Sequence, residues 1–249
     1  MATGRMRKVW ILGLFAWGTL TACPDPEERF EEFVDRTERF REPRQGPGAG
    51  ALADLEGRFL LSASVELSPG SPLFFDVEIE TNYSEDEGCP REGCLLHMKV
   101  LPLVSPSVVG QVCEPPFTPA GIAIGTKLPD EARDNPEPIE IRDIPVDEDG
   151  TFRVEFPMLA VDGCANSISG RLIVARLELE SVIKSEDRFC GGLGGELREP
   201  LRMNLTRSTF GAERIEADPA DLDPRPILTA CPPDEDDEEE EEDENQEAP

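Results

Sequence analysis

The sequence predicts an all-β domain over residues 51–231, an antiparallel β-sandwich of about seven to nine strands. Three observations carry that expectation. Apolar residues recur with period two in several separate stretches, polar residues fill the alternate positions, and prolines and glycines punctuate the gaps.

In chain order, Phe59, Leu61, Ala63, Val65 and Leu67 share one face, with Ser62, Ser64 and Glu66 opposite. Phe75, Val77 and Ile79 alternate with Asp76, Glu78 and Glu80; Phe152, Val154 and Phe156 alternate with Arg153 and Glu155. Ile173, Ala175, Leu177 and Leu179 face away from Arg176, Glu178 and Glu180. Strands with one apolar and one polar face belong to antiparallel sheets solvated on one side. Such a sheet must bury its apolar side against another layer, hence the sandwich. About 180 residues suffice for one substantial core, so disulfides supplement that core rather than replace it. Residues 105–138 are proline-rich and weakly patterned, and no internal repeat is visible.

The disulfide candidates are Cys89, Cys94, Cys113, Cys164, Cys190 and Cys231. Six cysteines allow fifteen pairings, and sequence does not choose among them. A local Cys89–Cys94 bridge fits around the turn-like Pro90-Arg91-Glu92-Gly93, and a Cys190–Cys231 bridge would pin the end of the domain.

At the start of the chain, Arg5, Arg7 and Lys8 precede the apolar stretch Val9 to Leu20. A positive region followed by a short apolar one reads as a secretory signal. The stretch falls well short of the roughly 20 residues a membrane-spanning helix needs. It ends in Leu20-Thr21-Ala22-Cys23, which resembles the lipobox of bacterial lipoproteins. An ordinary cleavage after Ala22 would put the large Leu20 where a small residue is expected.

The resemblance covers residues 5 to 23. It implies that residues 1–22 are removed, that Cys23 is lipidated, and that the chain is anchored to a membrane on the extracytoplasmic side of the cell envelope. It also implies more than one acyl chain and so stable attachment, where one alone would bind membranes only marginally. Lipid on Cys23 takes one of seven cysteines and leaves an even set, suited to an oxidising compartment. In familiar lipoproteins an Asp directly after the cysteine favours inner-membrane retention. Here Pro24 comes first and Asp25 second, so the outer membrane is expected.

Residues 23–50 read as a lipid-anchored helix and linker. Asp25 is placed to cap a helix over 24–42, Pro26 suits its first position, and Glu28 completes a capping box. Phe30, Phe33, Val34, Thr37 and Phe40 follow at helical spacing, and Pro43 ends it. Residues 43–50 are the linker. Residues 232–249 read as a disordered acidic tail, with an unbroken acidic run from Asp234 to Glu244.

The formal net charge is −29. Removing residues 1–22 takes three cationic residues and no acid, giving about −32. Such a field repels nucleic acid and anionic membrane surfaces, so no nucleic-acid partner is expected. Basic proteins and cations are compatible with it.

Candidate chemistry is thin. Asp147-Glu148-Asp149-Gly150 resembles part of a calcium loop, but the twelfth residue from Asp147 is Met158, where a bidentate Glu belongs. The segment fits a turn between strands better, with weak divalent-cation binding left open. Cys190-Gly191-Gly192-Leu193-Gly194-Gly195 lacks the Lys-Ser/Thr of a phosphate loop and reads as a strand with bulges or close backbone approach. His97 is the single histidine, too few for the usual catalytic zinc sites. It is expected on a solvent-facing strand surface beside Lys99.

No catalytic residue, metal ligand or cofactor is expected from these residues. The expected function is a lipid-anchored cell-envelope protein, a binding or structural module with an envelope protein as partner. Two alternatives stand beside it: an extracytoplasmic hydrolase using paired carboxylates, and a cation-binding envelope protein acting through the acidic tail.

Overall fold

The computed structural model describes residues 52–106, 113, 115–222 and 226–232, all within the unit Gln45–Pro249. The signal segment, Cys23, the helix expected over 24–42, the linker and the acidic run Asp234–Glu244 lie outside the described residues.

Each alternating stretch forms a strand, the first ending at Ser64, before Val65 and Leu67. The elements are β1 (Gly57–Ser64), β2 (Leu73–Thr81), β3 (Leu95–Leu103), β4 (Ile122–Ile124), α1 (Asp130–Asp134), β5 (Ile139–Pro145), β6 (Thr151–Val161), β7 (Ile173–Ser185), β8 (Arg188–Glu199), β9 (Met203–Asn204) and β10 (Ser208–Arg214). All pairings are antiparallel, in the order β4-β6-β7-β8-β10-β1-β2-β3-β5, with β9 added to β8. The expected all-β antiparallel class is therefore present.

Its layering differs from a sandwich. One continuous ten-stranded sheet curls until its two edges nearly meet, a barrel short of closure. The apolar faces find their second layer across the barrel, in their own sheet. Curling is eased where register shifts, between Glu155 and Met158 on β6 and between Leu96 and Met98 on β3, because bulges add local bend and twist. The strand number exceeds the expected seven to nine. β4 and β9 span only three and two residues, too short to show a period. The β4 edge is three residues long, and Asp143 takes a left-handed φ of 56° within the β5 edge. Both features discourage edge-to-edge pairing with another chain.

Register defines two unlike ends. One holds the tight β5–β6 and β7–β8 hairpins and is plugged by aromatics. Phe189 lies with its ring centroid 5.3 Å from Phe59, 5.7 Å from Phe152 and 6.1 Å from Phe210. Arg214 stacks its guanidinium 4.9 Å from the Phe59 centroid and donates to the carbonyls of Asp54 and Glu186 and to the Asp187 carboxylate. Gly57, at φ +142°, lets the chain pass beneath that guanidinium where a Cβ would collide. That end also carries the β2–β3 connection, residues 82–94, while the other end gathers the β1–β2, β3–β4, β6–β7 and β8–β10 connections.

The six candidate cysteines form three pairs: Cys89–Cys94, Cys113–Cys164 and Cys190–Cys231. The first closes the β2–β3 connection. The second ties the β3–β4 connection to the 3₁₀ turn Gly163–Ala165 at the end opposite the aromatic plug. The third holds the segment 226–232 against β8.

That last bridge overturns one expectation. Ser62 and Ser64, read as solvated, are buried at 1% and 8% exposure. The segment crosses the outer face as a strap: Thr209 Oγ1 donates to the Thr229 carbonyl at 2.8 Å, and Leu228 lies directly over Gly211, the register partner of Ser62. A Cβ at 211 would meet the Leu228 carbonyl oxygen at 2.7 Å. A second outer-face cluster, Leu60, Phe74, Leu103 and Ile215, is covered by Phe117 and Leu222.

Candidate functional site

The inward faces do not fill the barrel. A cavity of about 110 Å³ remains on the side opposite the aromatic plug. β7 contributes Ile173, Ala175, Leu177 and Leu179, β6 contributes Phe156, Leu159 and Val161, and β1 contributes Leu61 and Ala63. Alternation puts these side chains inside. Small residues leave the space, since Ala63, Ala165 and Ala175 stand where a larger side chain would fill it. Leu73, Leu177 and Leu197 point inward yet stay only half-buried, because the void reaches them.

The mouth is apolar as well. Leu67 and Leu201 sit on its rim at 57% and 60% exposure, beside Ile168 and Met203. Charged pairs flank it: Arg207 with Glu66 at 3.2 Å, and Arg202 with Glu196 at 3.7 Å.

Asn166 and Ser169 are the polar side chains of the lining, and they are engaged in their own loop. Asn166 Nδ2 donates to Ser169 Oγ at 2.8 Å and to the Arg171 carbonyl at 2.9 Å, while its Oδ1 accepts from the amides of Ile168 and Ser169. The lining holds no acid, histidine or cysteine. The site can therefore desolvate an apolar group. It offers no group placed for proton transfer or nucleophilic attack.

The residues singled out in the sequence lie elsewhere. His97 is on the outer face of β3 beside Lys99, as its alternation dictates, but only 20% exposed. Its Nδ1 is 3.6 Å from Glu80 and its Nε2 is 3.9 Å from Glu140, too far for hydrogen bonds. Lys99 donates to Glu80 at 2.8 Å and to Glu78 at 3.3 Å, and these bonds raise the lysine and lower Glu80. Glu140 is lowered chiefly by its hydrogen bond from Arg142 at 2.8 Å. This is a cross-strand charge ladder on a solvated surface.

Asp147-Glu148-Asp149-Gly150 forms the β5–β6 turn. The Gly150 amide donates to the Asp147 carbonyl at 2.9 Å, with Gly150 at φ +78°. Asp149 is lowered first by the Thr151 hydroxyl, at 2.7 Å, and then by its amide. The glycine run lies in β8, where Cβ atoms at 191 and 195 would collide with the carbonyls of Glu180 and Arg176 on β7. Among the described residues no group of three or more His, Cys, Asp or Glu is arranged to hold a metal ion, and no helix is long and apolar enough to cross a membrane.

Sequence reasoning placed many lining residues on apolar faces but did not see the void. Leu201, Met203 and Ile168 escaped it altogether, because Leu201 and Ile168 lie in connections and Met203 in a two-residue strand too short to show a period. The available signal was small residues interrupting otherwise large inward faces, at Ala63 and Ala175. Compared with protein families, with curated proteins and with solved structures, the chain matches none.

Proposed function

We propose that the protein is a lipid-anchored module of the cell envelope, tethered on the extracytoplasmic side through Cys23, that binds a partner and catalyses no reaction. The supporting observation is the division of the barrel into two ends. The hairpin end is sealed by Phe59, Phe152, Phe189 and Phe210 under Arg214. The other end carries the β1–β2, β3–β4, β6–β7 and β8–β10 connections around an apolar opening that has no acid, histidine or cysteine in its lining. Recognition is commonly carried by loops on a rigid scaffold. Three disulfides suit an oxidising compartment outside the cytoplasm. The outer membrane is the proposed site of attachment, and an envelope protein the proposed partner.

Two measurements test the reading in cells. Incorporation of labelled palmitate should occur in the native chain and vanish in Cys23→Ser, with the variant keeping residues 1–22 because the lipobox cleavage needs the cysteine. Label retained in Cys23→Ser would overturn the anchor. A photo-crosslinking residue placed at Leu67 or Leu201 should give one discrete protein adduct, absent when it is placed at Asp187 on the sealed end. Adducts from Asp187 alone, or from neither end, would overturn the assignment of the binding end.

A further inference from the structure

We infer that the barrel cavity is a binding site for one unbranched aliphatic chain of an amphiphile, with the polar head left outside at the rim. The inference rests on the reading of the end opposite the aromatic plug as the binding end and adds a ligand class to it.

Chemistry of the lining comes first. A polar group drawn inside would meet at most the Ser169 hydroxyl, which accepts from Asn166, because Asn166 spends both its donors and its acceptor on its own loop. Burying such a group unpaired is costly. The occupant's inner part is therefore wholly apolar.

Shape is the second argument. Four successive inward positions of β7, from Ile173 to Leu179, all line the void. Six residue steps extend about 20 Å along a strand. The lining therefore runs lengthwise from the barrel interior to the rim. It suits a linear chain better than a compact ring system. A void of this order with an aliphatic lining stays dry and holds a few carbon atoms, so the end of the chain lies inside and the rest follows the apolar path to the rim.

The rim supplies the third argument. Leu67 and Leu201 continue the apolar path out to solvent, where the exposed Arg207–Glu66 and Arg202–Glu196 pairs begin. That succession, apolar within and charged at the lip, matches an amphiphile entering tail first.

The Cys23→Ser chain, with residues 1–22 replaced by an ordinary cleavable export signal and purified without detergent, is titrated calorimetrically with palmitate and with 1-adamantanecarboxylate. The two share a carboxylate head and differ in the shape of the apolar part. Palmitate should bind at one per chain, and the compact acid about tenfold more weakly or not at all. Ala175→Phe fills the void and should abolish palmitate binding. Leu201→Glu changes only an exposed rim residue, so the fold is retained, and it should weaken palmitate about fivefold. Repeating the titration on the lipidated chain in lipid vesicles distinguishes sources: occupancy by the anchor's own acyl chains would block added palmitate, while occupancy by free lipid would leave it competitive.

No saturable binding of palmitate to the Cys23→Ser chain would overturn the inference. So would equal affinity for the compact acid, or undiminished binding in a folded Ala175→Phe variant. Loss of palmitate binding with the Leu67 crosslink intact would remove the ligand assignment alone. The opposite result would remove the protein partner alone.

Discussion

Tyr83, the chain's single tyrosine, shows how one side chain reports on the fold. It is buried, and its hydroxyl has no hydrogen-bond partner among the described residues. Burial first, and the Asp54 carboxylate second, hold the phenol above its ordinary value of 10. The folded state thus keeps the proton more tightly than the unfolded one. The stability linked to it is fully present below pH 10 and is lost as pH rises from there towards the folded value. Tyrosinate absorbance should therefore appear only well above pH 10 in the folded protein, and together with alkaline unfolding. Tyr83→Phe should remove that alkaline loss at little cost at neutral pH, since no bond is broken. An absorbance titration following the ordinary value of 10 would show the phenol to be open to solvent. The same reasoning with opposite sign applies to Glu80 and Glu140. Their lowered values mean that their pairing stabilises at neutral pH and is lost as pH falls below the ordinary carboxylate range.

At the scale of elements, the disulfides differ by the chain they enclose. Cys89 and Cys94 are five residues apart, whereas Cys113 and Cys164 are 51 apart and Cys190 and Cys231 are 41 apart. On the chain-entropy account a loop of five contributes about 2 kcal/mol and a loop of 40 to 50 about 4 kcal/mol. Replacing both cysteines of a pair by serine should lower unfolding stability in that order, with Cys89–Cys94 the mildest, as measured by denaturant titration. Equal losses for all three would show that strain or residual unfolded structure outweighs loop closure.

Strands were legible for a physical reason. Phe59 to Ala63 and Ile173 to Leu179 must alternate if one side is to be buried, whatever buries it. What buries it was not legible, because alternation is the same for a sandwich and for a sheet curled on itself. Ser62 and Ser64 misled for a related reason: the strap over them comes from residues 226–232, distant in sequence and held by Cys190–Cys231. The cavity was hidden because a void is a property of facing positions. Ala63 and Ala175 signal it only once the barrel brings their neighbours together.

For the whole molecule, charge and core are separated in space. A net charge of −29 is carried on a chain whose described acids lie on the outer face, in turns and at the rim, while the interior lining has none. Long-range repulsion therefore acts on approach to the protein, and dispersion and desolvation act within it. Association at the rim should vary with ionic strength, whereas retention inside the barrel should not.

The aromatic plug adds a rule about time. A vessel with a single doorway exchanges its contents only by the route they came in. Whatever sits between the plug and the rim bars the way to its replacement until it has gone. A newcomer has to wait, and crowding the outside cannot hurry the departure. The displacement rate of a bound chain, followed by stopped-flow fluorescence, should accordingly be independent of competitor concentration, and a rate that climbs with competitor would reveal a second way out past Phe189.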